Sequence, residues 1–76
     1  MNEKIFKQIL SDIEGICAAQ GNDLENEIIS LVLTNSQSIS AFYGHIEACN
    51  GYARIWSDTS ESYEFIPYEN ILRISC

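Results

Sequence analysis

Phe42-Tyr43-Gly44-His45-Ile46-Glu47-Ala48-Cys49-Asn50-Gly51-Tyr52-Ala53-Arg54-Ile55-Trp56 sets two half-apolar runs on either side of Asn50-Gly51. Asn and Gly tolerate the positive φ values of a tight type I′ turn, whose twist matches that of paired strands. The stretch therefore predicts a β-hairpin. Side chains alternate between faces along a strand. Before the turn, Phe42, Gly44, Ile46 and Ala48 fall on one face, and Tyr43, His45, Glu47 and Cys49 on the other. After it, Tyr52, Arg54 and Trp56 share a face, with Ala53 and Ile55 opposite. A glycine inside a strand marks a bend or a close backbone approach. Gly44 is thus where the strand is expected to curl into a small barrel.

On the N-terminal side, residues 1–20 read as a helix. Ile5, Phe6, Ile9, Leu10, Ile13, Ile16 and Cys17 recur at three- and four-residue spacing and make one apolar stripe. Asn2 suits an N-cap, and Gly21 suits a left-handed stop. The stripe fits a helix lying on the barrel; a partner-binding helix is the alternative. Residues 21–26 form a polar connector. Glu27 to Thr34 is a strand whose dense apolar centre implies burial on both faces. Asn35-Ser36-Gln37-Ser38 is a turn. The next strand runs from about Ile39 to Cys49, but Ile39 and Ala41 are out of phase with Phe42 and Ile46. A bulge or loop extension near Ser40 and Ala41 reconciles them.

On the C-terminal side, Tyr52 to Ser57 is a strand, Asp58-Thr59-Ser60-Glu61 a turn, and Ser62 to Ile66 a strand. Pro67-Tyr68-Glu69-Asn70 predicts one 3₁₀ turn, because Pro favours a turn or the first residue of a short helix. Ile71 to Ser75 is the last strand. The fold class expected is all-β: a single domain over residues 1–76, with an N-terminal α-helix and a five-stranded antiparallel barrel over 27–75.

The 76 residues suffice for one domain. A domain of this size buries only about 60% of its unfolded surface, so partner subunits are a common remedy. Eleven acidic residues against four basic ones (Lys4, Lys7, Arg54 and Arg73) give a net charge of −7. That balance disfavours non-specific binding to nucleic acid and to anionic membrane surfaces. Three cysteines, Cys17, Cys49 and Cys76, have no CxxC spacing, which predicts reduced thiols in a cytosol rather than disulfides or zinc. No apolar run approaches the roughly 20 residues of a membrane span, and the N-terminus has no signal-peptide core.

Helix, strands and one tight turn before the last strand resemble the layout of the Sm-like barrel family. Gly44, Ile46, Asn50, Tyr52 and Ile55 occupy places that recur in the first Sm motif, and Ile66-Pro67-Tyr68-Glu69-Asn70-Ile71 resembles the second. The resemblance implies a head-to-tail homo-oligomeric ring of about five to seven subunits. Its subunits would join through the strands Ser62–Ile66 and Ile71–Ser75. It also implies single-stranded, uridine-rich RNA as ligand. In that setting Asn50 and Tyr52 align with the base-holding loop, and Arg54 stands where Sm proteins carry a base-contacting Asn. The chain departs from the family in the second motif. Pro67-Tyr68 replaces the Arg-Gly of eukaryotic and archaeal members, and Tyr68-Glu69 replaces the Lys-His of the bacterial RNA chaperones. A carboxylate there repels phosphate. The rival reading is an acidic SH3-like protein-interaction or assembly module that binds no nucleic acid.

The candidate nucleic-acid site is therefore Asn50, Tyr52, Arg54 and Tyr68, with the tyrosines as stacking platforms. An aromatic turn beside a surface Arg is the plainer reading of the same residues. His45, the only histidine, has no partner spacing for a triad or a metal set. Glu25 and Glu27, and Asp58 and Glu61, read as solvated connector charges. Cys49 has no neighbour in sequence to activate it. There is no phosphate loop or nucleophile motif, so neither an enzyme nor a cofactor is expected.

Overall fold

The computed structural model describes residues 1–58 and 60–76. Helix α1 spans Glu3–Gln20. Among the described residues six strands follow: β1 (Ile28–Leu33), β2 (Ser38–Phe42), β3 (Ile46–Ala48), β4 (Tyr52–Ser57), β5 (Ser62–Pro67) and β6 (Ile71–Ser75). Three 3₁₀ turns, Leu24–Asn26, Tyr43–His45 and Tyr68–Asn70, punctuate them.

The ends of α1 are built as its sequence dictates. The Asn2 side-chain oxygen accepts the Ile5 N–H at 2.8 Å, satisfying one of the free donors of the first turn. Gly21 adopts φ 71°, and the Asn22 N–H reaches back to the Cys17 carbonyl at 3.0 Å, a glycine-stopped helix end. Phe6, Leu10, Ile13 and Cys17 are buried, so the stripe lies on the sheets. Ile5 and Ile16, at its margins, stay half exposed.

The five-stranded barrel expected from the sequence is not what the chain forms. The strands make two separate three-stranded antiparallel sheets, ordered β2-β1-β6 and β3-β4-β5. No ladder joins the sheets among the described residues, so no barrel closes. The cause lies in the segment read as one strand from Ile39 to Cys49. The Tyr43–His45 turn breaks it into β2 and β3. Gly44 sits inside this turn, facing the Glu25 backbone, rather than curling a continuous strand. The turn also resolves the phase conflict. β2 pairs with β1 in unbroken register from Ile28↔Phe42 to Val32↔Ser38, with no bulge near Ser40. Three residues of 3₁₀ turn then switch the inward positions from odd (Ile39, Ala41) to even (Ile46, Ala48). The Tyr68–Asn70 turn likewise carries the chain from one sheet to the other.

The bulge that does occur lies elsewhere. Val32 pairs with Arg73 and Leu33 with Ile71, which leaves Leu72 unpaired in β6. Leu72 is 66% exposed. The core is one cluster in which the four helix residues meet Ile29 and Leu31 of β1, Ala41, Ala53, Ile55, Ile66, Tyr68 and Ile71.

The hairpin at Asn50-Gly51 is present, joining β3 to β4. Its turn differs from the type expected. Gly51 has φ 90°, but Asn50 does not take a positive φ. A negative value followed by a positive one is the type II pattern, not I′. The Cys49 N–H donates to the Tyr52 carbonyl at 2.9 Å, while the Cys49 carbonyl accepts the Tyr68 hydroxyl. The turn expected over Asp58–Glu61 includes Thr59, which lies outside the described residues.

Candidate interaction surface

Strand alternation and the register of the second sheet build one outward face. Glu47 lies opposite Arg54, Arg54 opposite Phe65, Trp56 opposite Tyr63, and Tyr52 opposite Pro67. The other face of the same strands carries Ala53, Ile55 and Ile66, all in the core. An aromatic surface thus stands outside while the aliphatic residues go in. Phe65 is 61% exposed and Tyr63 57%.

The rings touch one another along this face. Tyr52 and Phe65 centroids are 6.0 Å apart, Tyr63 and Phe65 6.4 Å, and Trp56 meets Tyr63 edge-on at 5.1 Å. The Arg54 guanidinium lies over the Tyr63 ring at 5.7 Å and forms an ion pair with Glu47. The hydrogen bond that Arg54 donates to Glu47, and then the Glu47 charge, raise the Arg54 pKa further. Glu47 and Arg54 are the face's two charged residues, so the face is electrically neutral on a chain of net charge −7. An open groove of about 400 Å³ lies at one end, lined by Gly44, His45, Ile46, Glu47, Arg54, Trp56 and Tyr63.

The four residues expected to bind nucleic acid separate into different environments. Tyr52 and Arg54 share the outward face. Asn50 is in the hairpin turn. Tyr68 is only 3% exposed; its ring packs against Phe6 at 5.0 Å and its hydroxyl is bonded to Cys49. Burial, followed by the nearby Glu3 charge, pushes its pKa up. Tyr68 is thus a core residue with no free face for a base. Residues 47 and 54 stand at equal distances from the Asn50-Gly51 turn, so the hairpin register alone signals the Glu47–Arg54 pair.

His45 lies in the Tyr43–His45 turn, with Nδ1 3.5 Å from Asp58 and its ring edge-on to Phe42. The cysteines are all free: Cys17 buried, Cys49 half-buried and Cys76 exposed. Among the described residues no His, Cys, Asp or Glu cluster could hold a metal. No described helix is long and apolar enough to cross a membrane.

The helix also fixes the hairpin tip. Glu3 accepts the Gly51 N–H at 3.0 Å and pairs with Lys7 at 3.0 Å. The Gly51 bond first, and Lys7 second, lower the Glu3 pKa below its ordinary 4.5. A depressed carboxylate pKa stabilises the fold fully above the unfolded value, and that stabilisation is lost as pH falls through the folded one. Glu3→Gln is therefore expected to lower the urea midpoint near neutrality. The two midpoints should converge as pH is lowered from about 7 to about 3. A difference independent of pH would show that the carboxylate charge has no part in the tie.

Comparison with protein-family models, with curated proteins and with solved structures gives no match.

Proposed function

We propose that this protein is an assembly module that joins copies of itself head-to-tail, β5 of one subunit against β6 of the next. The observation that carries the reading is that, of the four edge strands, β5 and β6 are the two that expose large apolar side chains. β5 ends its sheet with Tyr63 and Phe65 exposed, and β6 ends the other with Leu72 exposed. An open edge offers unpaired N–H and C=O groups to another chain. Charge selects between the ways of pairing. β5 against β5 brings Glu64 toward its own copy, and like charges across strands are destabilising. β5 against β6 brings Glu64 toward Arg73, which has no ion-pair partner among the described residues. The Leu72 bulge adds an apolar side chain to the same contact. A head-to-tail contact closes into a ring when its rotation divides a full turn.

RNA receives less support from the geometry. Tyr52 and Phe65 offer stacking faces, but Arg54 is neutralised by Glu47 and Tyr68 is buried. Light scattering at micromolar concentration tests the proposal, and a discrete mass several times 8.6 kDa is expected. A clean monomer rejects it. Titration with a uridine-rich oligomer at low salt is expected to leave that mass unchanged; saturable binding would restore the RNA reading.

A further inference from the structure

The groove beside the hairpin holds a guanidinium already. Arg54 lies over the Tyr63 ring and against the Glu47 carboxylate, while Trp56 meets Tyr63 edge-on. A carboxylate beside an aromatic face is the chemistry that binds an organic cation. Both members of the ion pair are open to water, with side-chain exposures of 44% for Arg54 and 59% for Glu47. An exposed pair of this kind is weak and exchanges readily.

We propose that this groove is a docking site for an arginine side chain of a basic partner protein, and that Arg54 is its built-in competitor. Charge argues for that partner. The chain carries −7 overall, which draws a basic segment toward it. At the groove the incoming guanidinium takes the place of Arg54 on Glu47 and Tyr63. The displaced Arg54 swings into water, where a flexible charged side chain is well solvated. Arginine suits the site better than lysine, because its planar group covers the ring while bonding the carboxylate in two places. The groove is lined mainly by β3, β4 and the turn before β3, and shares Tyr63 alone with the β5 edge assigned to assembly. Light scattering of Arg54→Gln and Glu47→Gln, expected unchanged, tells a loss of docking from a loss of assembly.

Trp56 is the only tryptophan and lines the groove, so its fluorescence reports occupancy. The probe is the peptide acetyl-Gly-Arg-Gly-amide, with the citrulline peptide as its neutral isostere. Arg54→Gln is expected to bind the arginine peptide roughly two- to sixfold tighter than the natural protein, the gain from removing an internal competitor held by a weak exposed ion pair. Glu47→Gln, and the double variant, should lose saturable binding. Unchanged urea midpoints confirm that each variant is folded. Equal affinity of Arg54→Gln and the natural protein overturns the proposal. So does equal binding of the citrulline peptide, or retention of binding by Glu47→Gln.

Discussion

Phe6→Ala is expected to lower the urea midpoint of this protein by about a quarter or more. Phe6 is fully buried and its ring packs on Tyr68 at 5.0 Å. It stands where α1 meets the turn that carries β5 into β6, so its loss empties the join between helix and sheets. Truncating a buried Phe costs about 3–5 kcal/mol, the lost transfer energy plus the cavity left behind. A 76-residue domain has a total stability of roughly 4–11 kcal/mol, at about 0.05–0.15 kcal/mol per residue. The substitution therefore removes between about a quarter and all of it. The check is a urea titration at fixed protein concentration, because the proposed self-association would add stability that varies with concentration. Tyr68→Phe is the control. It keeps the ring and removes only the hydroxyl bonded to Cys49, at about 0.5–1.5 kcal/mol. A Phe6→Ala midpoint no lower than that of Tyr68→Phe would show that the helix does not close the core.

Much of this architecture was legible in the chain, and the failures have one physical source. Local chemistry was readable where one residue decides the backbone. Asn2 caps α1, Gly21 ends it, Asn50-Gly51 turns the hairpin and Pro67 precedes a 3₁₀ turn. The path between the sheets was not readable. The odd-to-even phase switch between Ala41 and Ile46 demanded an irregularity, but a bulge, a loop and a 3₁₀ turn all satisfy it. Gly44 fitted any of the three. The turn that formed left two sheets where one curled barrel was expected.

The scatter of the candidate site's residues has a related cause. Tyr68 follows Pro67 in a polar turn, Tyr68-Glu69-Asn70, and nothing local tells whether its ring turns in or out. The answer depends on Phe6, more than sixty positions away, and on a Cys49 carbonyl left free by the hairpin turn. Tyr52, Arg54 and Trp56 were placed correctly on one face because strict alternation governs β4. Alternation in β5 likewise puts Tyr63 and Phe65 on one side. The surface was thus legible where strand period alone determined it. It was hidden where a tertiary contact did.

That same alternation makes Phe65 the residue on which the proposed assembly depends most. Phe65→Glu is expected to convert the oligomer to an 8.6 kDa monomer at micromolar concentration. Phe65 is 61% exposed in the single chain, so the substitution empties nothing in the core and Ile66 beside it still faces inward. In the proposed contact the ring meets the bulged Leu72 of the next copy. Covering a side chain of this size is worth roughly 1.5–3 kcal/mol, which alone is about ten- to a hundredfold in the association constant. The introduced carboxylate does more. It adds to Glu64 at the same edge and loses water on contact, and an unpaired charge pressed into an interface is costly. Each link of a head-to-tail ring contains this contact once, so every link weakens together. Phe65→Lys separates the two causes. A lysine on an open edge also blocks pairing, but it relieves the repulsion at Glu64 and lowers the negative charge of the chain. Both variants should dissociate, with Phe65→Glu the more complete and the more strongly rescued by salt, which screens exposed charge. Full-sized oligomers from both variants would place the contact away from β5 and withdraw the strand-edge assembly.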